Sequence, residues 1–142
     1  MRYKYQKAID DLLAQGLTMP ELIEPNDLAA FRFVFEAQNE RNNKPVCVQN
    51  PKRTLPNNAK FSGYALSCFN DMAKAEQRYW DLCESFPRTP ITIGDSLSGG
   101  ELHNEDGMIT SPERNTGHFD LYESETCDLN KSFKLIERLW RR

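Results

Sequence analysis

Long apolar runs are missing from this chain of 142 residues. A helix that crosses a bilayer needs about 20 consecutive, mostly apolar residues, and no segment approaches that length. The N-terminal stretch MRYKYQKAIDD carries basic residues but no apolar block behind them, which argues against a secretory signal. We therefore expect no membrane partner and predict a cytoplasmic protein.

Paired cysteines and clustered histidines are also missing. The four cysteines form no C-x-x-C pair, so a zinc site built from cysteine pairs is not expected. The two histidines, His103 and His118, are fifteen residues apart, and nothing in the pattern fixes them on one helix or strand. We predict reduced thiols, no metal site and no cofactor.

The charge is unevenly distributed around a net value of −3. Residues 95–130 hold nine acidic side chains against Arg114 alone, whereas residues 41–60 hold five basic groups and no acid. The net negative sign disfavours bulk nucleic-acid binding. Such a divided field steers association with a charged protein partner or with a second copy of the chain.

Two binding functions follow from this distribution of charge. The leading interpretation is a small protein-binding or regulatory domain that uses an acidic face formed by residues 95–130. The basic run suggests a different function, a small anionic-ligand site formed by Arg53 and neighbouring basic residues with His118. The sequence leaves the identity of either partner open.

The length of the chain fits a single domain that comprises residues 1–142.

Helical periodicity recurs in three segments. Apolar residues at helical spacing predict helices at 3–15, 71–86 and 130–140, and Asn70 or Asp71 is suited to cap the second. A shorter helix is expected to begin at Thr18 and to end near Pro25.

Alternating apolar and polar residues predict several short strands. Residues 29–38, with Phe31 and Phe33 in alternation, are interpreted as a strand whose hairpin partner is 45–49. Further strands are expected at 61–69, within 91–102 beside a glycine-rich turn, and at 117–123. This irregular interleaving predicts an α+β domain with a small, mainly antiparallel sheet and about three helices.

The strand at 117–123 matters most for function. Phe119 and Leu121 are expected to face the core in a sheet shared with residues 64–69, so that His118 and Asp120 lie on the opposite face. The same alternation turns Ser67 away from the buried side of its own strand.

The segment FSGYALSCFNDMAKAEQRY, at 61–79, resembles the serine strand and the following helix of ADP-ribosyltransferases. The triplet Glu123–Ser124–Glu125 is similar to the E-x-E motif of the arginine-modifying members, and FRF at 31–33 matches the early-strand arginine. The family's S-T-S motif is ALS in this chain.

This resemblance implies an enzyme that acts on NAD. Arg32 would hold a phosphate or ribose, and Ser67 would help to position the cofactor. Glu123 would orient the acceptor, and Glu125 would stabilise an oxocarbenium-like ribose, as carboxylates do in glycosyl transfer. The sequence therefore leaves three functions open: protein binding, NAD-dependent transfer and anion binding.

Overall fold

A six-stranded antiparallel sheet organises the chain in a computed structural model that describes residues 1–37 and 39–141. Across the sheet the strands lie in the order β4, β5, β2, β1, β3 and β6. The α+β class and the antiparallel sheet are as predicted from the sequence. The strands are β1 (Leu28–Val34), β2 (Leu66–Phe69), β3 (Ser96–Leu102), β4 (Gly107–Ile109), β5 (His118–Glu123) and β6 (Lys134–Arg138).

Within the described residues, two helices longer than four residues accompany the sheet, and both were predicted. Single-turn 3₁₀ segments occur at Asn57–Ala59, Ser62–Tyr64 and Asn104–Asp106. No helix in the described ranges is long and apolar enough to span a bilayer. The helices are α1 (Gln6–Ala14), α2 (Val46–Gln49), α3 (Met72–Ser85), α4 (Thr89–Thr92) and α5 (Leu129–Ser132).

The two long helices begin and end where local chemistry dictates. The carboxylate of Asp71 caps α3 by accepting a hydrogen bond of 2.9 Å from the backbone N–H of Lys74. Pro87 lies just beyond its C-terminus, where it cannot continue the helix. Gly16, at φ +85°, follows α1 in the left-handed conformation that glycine adopts without strain.

Both faces of the sheet are covered. On one face, Cys68 and Phe119 pack with Leu129 and Phe133 from the segment around α5. On the other face, α3 packs through Ala75 and Tyr79 against Phe69 and Leu97, and α1 packs through Ile9 and Leu12 against Tyr122.

The predicted pairing of 117–123 with the strand near 64–69 is confirmed. In the antiparallel register of β2 and β5, Leu66 lies opposite Leu121 and Phe69 lies opposite His118. Phe119 and Leu121 are both buried. This pairing places Ser67, His118 and Asp120 on one face of the sheet.

The prediction of a strand at 45–49 is wrong. This segment forms α2, in which the N–H of Gln49 donates to the carbonyl of Pro45. Pro45 is the N-cap of α2, and its φ of −61° suits the start of a helix, whereas the three apolar residues that follow it do not alternate with polar ones. Strand β1 pairs with β2 and β3 instead.

The prediction of a C-terminal helix at 130–140 is also wrong. Only α5 is helical there, and β6 then pairs with β3. The register shifts between Leu97 and Ser98, and such an irregularity disturbs the alternation that would have indicated a strand. Leu135 and Ile136 are each a little less than half exposed on β6, and adjacent apolar residues of this kind also occur on one face of a helix.

The glycine-rich segment is a strand rather than the predicted turn. A Cβ on Gly99 would lie 2.5 Å from Cδ1 of Ile136, and one on Gly100 would lie 2.6 Å from Cδ1 of Phe133. Glycine is therefore favoured at both positions, because neighbouring side chains pack directly on the backbone of β3. The strand expected within 91–102 is β3, and residues Thr89–Thr92, just before it, form α4.

Two smaller predictions need correction. The helix expected from Thr18 does not form, because Ile23 instead pairs with Ile109 through two backbone hydrogen bonds. The strand predicted at 61–69 is extended only from Leu66, since Ser62–Tyr64 makes a 3₁₀ turn.

Leu121→Ala tests the core pairing of β5. Leu121 is fully buried, so we expect the substitution to lower the free energy of unfolding by about 2–5 kcal/mol in urea titrations. Leu135→Ala, on the exposed edge strand, serves as the matched control and should cost less than about 1 kcal/mol. Equal losses in the two variants would contradict the assigned register.

Candidate functional site

A cleft of about 1040 Å³ opens on the sheet face that carries α3. Residues of β1, β2 and β5 contribute to it, as do α3 and the basic segment that follows β1. Among its lining residues are Ser67, His118 and Asp120. The basic segment, which we call the basic loop, comprises residues 41–53.

The cleft is rich in positive charge. Within the described ranges, none of its five lysines and arginines forms an ion pair with a carboxylate. Two carboxylates, Glu113 and Asp120, also line it. The cleft is therefore positive in a chain whose net charge is −3. The five cationic residues are Arg32, Arg41, Lys44, Arg53 and Arg78.

Two asparagines fix the start of the basic loop. The side chain of Asn42 donates to the carbonyl of Phe35 at 3.0 Å and accepts from the N–H of Phe35 at 2.9 Å. Asn43 adopts a left-handed conformation at φ +59°, which asparagine tolerates better than most residues. Its Oδ1 accepts a hydrogen bond of 2.9 Å from Nε of Arg32.

Arg32 is a buried arginine at the base of the cleft. Strands β1 and β2 share a single residue pair, Phe31 with Phe69, and beyond it the strands separate. The guanidinium of Arg32 bridges the gap, because Nη1 donates to the backbone carbonyl of Ser67. These two hydrogen bonds leave further guanidinium N–H groups for a ligand.

Ser67 and His118 lie in contact in the same cleft. The Oγ of Ser67 is 2.7 Å from Nε2 of His118, and Oδ1 of Asp120 lies 3.6 Å from the same nitrogen. The ring of Phe69 meets the imidazole edge-on, with centroids 5.5 Å apart. Burial raises the pKa of Asp120, and the neighbouring His118 partly opposes this shift.

The structure brings together four of the six site residues predicted from the sequence. Arg32, Ser67, Arg53 and His118 all line the cleft. Glu123 and Glu125 do not. Arg32 and Ser67, which the transferase resemblance assigns to the cofactor, thus lie together, whereas the two glutamates that it assigns to the transfer step lie outside the cleft.

Glu123 is buried at the end of β5, away from the cleft. Its Oε2 accepts a hydrogen bond of 2.6 Å from Nζ of Lys4, whereas its Oε1 is buried with no partner among the described residues. Burial raises the pKa of Glu123, and the ammonium of Lys4 acts in the opposite direction. Glu125 is exposed and lies 3.7 Å from Arg2.

Three of the nine carboxylates of the acidic segment 95–130 do not contribute to an exposed acidic face. Glu123 is buried, Asp120 lines the cleft, and Asp95 lies 3.7 Å from Arg138. Exposed carboxylates remain elsewhere in the segment, as at Glu101 and Glu105. The negative charge is therefore divided among separate environments.

Asp27, Glu101 and His103 form an exposed cluster whose ligand atoms all lie within 4.8 Å of one another. Nδ1 of His103 is 2.6 Å from Oδ1 of Asp27, and this hydrogen bond raises the pKa of His103. By distance alone the three could hold a cation. The sequence did not indicate the cluster because Asp27 lies far from the other two along the chain.

Sequence reasoning missed several residues of the cleft. The run of basic residues at 41–60 marked Arg41 and Lys44 as part of a positive segment, without placing them beside Ser67. Arg78 gave no signal, because an arginine on a helix is usually only exposed to solvent. Only the folded chain brings these charges together.

Known proteins offer no guide to this cleft. The chain matches no protein-family model, no curated protein and no solved structure. The chemistry of the cleft therefore has to indicate the function.

Glu123→Gln tests the buried carboxylate. A folded-state pKa above the ordinary 4.5 means that Glu123 contributes stability below pH 4.5, and that this contribution is lost as the pH rises through the folded pKa. We expect the variant to lack this pH-dependent term, which urea unfolding at a series of pH values would measure.

Glu125→Gln is the matched control for that experiment. Glu125 is more than half exposed, so water screens its charge, and the variant should keep the pH dependence of the wild type. If Glu123→Gln also follows the wild-type pH dependence, the buried carboxylate does not contribute as described.

Proposed function

We propose that the protein binds a small anionic ligand in the cleft. The observation that carries this proposal is the convergence of five cationic side chains, without carboxylate partners in the described ranges, in a chain of net negative charge. Like charges held close together repel, and a bound anion relieves that repulsion. The volume of about 1040 Å³ lies at the upper end of small-ligand sites.

Arg32 is the anchor of this proposed site. Its guanidinium is held in place by Asn43 and by the carbonyl of Ser67, so little side-chain entropy is lost when a ligand binds. A planar guanidinium matches the geometry of carboxylate and phosphate groups. Arg53 and His118, which the sequence suggested for an anion, line the same cleft.

An apolar region adjoins the charged part of the cleft. The guanidinium of Arg41 lies 4.5 Å from the ring centroid of Phe35, and Phe86 and Ile93 are exposed at the cleft. Aromatic and aliphatic surfaces of this kind favour a ligand with an apolar or flat portion beside its charge. We infer a ligand that has an anionic group and an apolar or flat portion.

The compartment is part of the same proposal. All four cysteines are free thiols, and thiols stay reduced in the cytoplasm. This supports the cytoplasmic location expected from the sequence.

NAD is a specific candidate for the ligand. NAD carries a pyrophosphate, which is an anionic group. The resemblance to ADP-ribosyltransferases also implies that NAD is the cofactor. A hydrogen bond joins Arg32 and Ser67, the two residues that the resemblance assigns to the cofactor, and this favours the candidate. Label transfer from NAD that is lost in Ser67→Ala would extend the proposal to a transferase, although Glu123 and Glu125 lie outside the cleft. NAD binding without such transfer would restrict it to a ligand.

Thermal stabilisation by anions tests the binding site directly. Inorganic phosphate, pyrophosphate and NAD should each be titrated while the melting temperature is followed, because a ligand of the folded state raises it. We expect Arg53→Ala to weaken the affinity by about tenfold or more, as loss of a charged hydrogen bond does.

Lys52→Ala is the matched control, since Lys52 is the adjacent basic residue and does not line the cleft. It should retain the wild-type affinity. Equal weakening in both variants would indicate non-specific charge attraction, and failure of all three anions to stabilise the wild type would contradict the proposal.

A further inference from the structure

We propose that Ser67 and His118 form a nucleophile and general-base pair that hydrolyses carboxylic esters bearing a negative charge. This proposal rests on the proposed function, because the cations of the cleft would hold the anionic group of the substrate. The first observation is the distance of 2.7 Å between Oγ of Ser67 and Nε2 of His118. At that distance the imidazole can accept the hydroxyl proton.

Two adjacent strands hold this pair rigidly. Ser67 lies opposite Asp120 and Phe69 lies opposite His118, so Ser67 and His118 are diagonal neighbours on one face of the sheet. Both strands carry buried residues on their other face, which fixes their register. The geometry therefore exists before any ligand binds, as catalysis requires.

The serine is accessible. Ser67 is exposed and lines the cleft, and its only hydrogen bond through Oγ among the described residues is to His118. Ser62, in the same cleft, differs because its Oγ donates to the carbonyl of Ala59. The hydroxyl of Ser67 thus hydrogen-bonds to the imidazole and remains accessible to a substrate in the cleft.

Charges around the pair suit the reaction. The carboxylate of Asp120 lies 3.6 Å from Nε2, the nitrogen that takes the proton from Ser67. The guanidinium of Arg32 binds the carbonyl of Ser67 itself, so a fixed positive charge lies beside the nucleophile. Such a charge stabilises negative charge developing on the substrate oxygen.

The chemical steps balance without a cofactor. The Oγ–H proton moves to Nε2 as Oγ bonds to the ester carbonyl carbon, and the tetrahedral intermediate expels the alcohol, which takes the proton from the imidazolium. Water then attacks the acyl-serine, again through His118, and releases the carboxylic acid and the free serine. The products are one acid and one alcohol.

Hydrolysis of two nitrophenyl esters tests the proposal. One is the mono-4-nitrophenyl ester of glutaric acid, which keeps a free carboxylate, and the other is neutral 4-nitrophenyl acetate. We expect the wild type to prefer the charged ester, and Ser67→Ala and His118→Gln each to lose about 100-fold or more in kcat. Ser85→Ala, at the exposed end of α3, should keep the wild-type rate.

Covalent labelling provides a second readout. A fluorophosphonate probe should add its mass to the peptide that contains Ser67 in the wild type and should not do so in Ser67→Ala. Thermal melting of each variant checks that it remains folded. Wild-type hydrolysis no faster than that of a folded Ser67→Ala, or labelling absent from Ser67, would overturn the catalytic proposal.

Phosphate stabilisation, measured on the same preparations, separates this proposal from the binding function. Stabilisation by phosphate without Ser67-dependent hydrolysis overturns catalysis alone and leaves anion binding intact. If phosphate, pyrophosphate and NAD all fail to stabilise the wild type and Ser67-dependent hydrolysis is also absent, both proposals are overturned. Ser67-dependent hydrolysis of the charged ester, with a higher KM and a similar kcat in Arg53→Ala, supports both.

Discussion

The bridge that Arg32 makes between two separating strands is the interaction on which the cleft depends. Beyond Phe31 and Phe69 the backbone of β1 no longer pairs with that of β2, and the carbonyl of Ser67 would lack its ladder partner. The guanidinium supplies the missing donor and also holds Asn43 of the basic loop. A buried polar group is tolerated only when it is hydrogen-bonded, and here one side chain satisfies two parts of the chain at once. Arg32 therefore has two roles: its hydrogen bonds stabilise the fold, and its guanidinium contributes positive charge to the cleft.

The parts of the fold that sequence could predict are those where one residue pattern dominates. The helix α3 has a cap, an apolar stripe and a proline beyond its end, and these signals agree. In β5 the alternation of Phe119 and Leu121 was equally clear. Prediction failed where tertiary packing decides: β3 needs its glycines because Phe133 and Ile136 lie on its backbone, and β6 is an edge strand whose exposed apolar residues resemble a helix face. Neither reason can be read from a single segment.

The sequence predicted several residues of the candidate site but not how they are arranged in space. Arg32, Ser67, Arg53 and His118 were each singled out, under different hypotheses, and the fold places them in one cleft. Their convergence depends on the order of β5, β2 and β1 across the sheet, which no local pattern encodes. Glu123 was singled out for its motif, yet the alternation of β5 buries it beside Lys4. Charge counted along the chain did not indicate that Glu123 is buried, that Asp120 lines the cleft or that Asp95 lies near Arg138.

The order of the strands has a consequence for how the chain acquires its structure. Strand β1 finds its fullest register with β3, where Ala30 lies opposite Gly100, so its main partner is synthesised long after it. Bringing such distant segments together costs chain entropy before any contact compensates, and topologies of this kind fold slowly. On the ribosome, the first strand therefore emerges well before its main partner, with an unpaired edge. The apolar alternation of that strand makes this interval the time at which the nascent chain is most prone to aggregate.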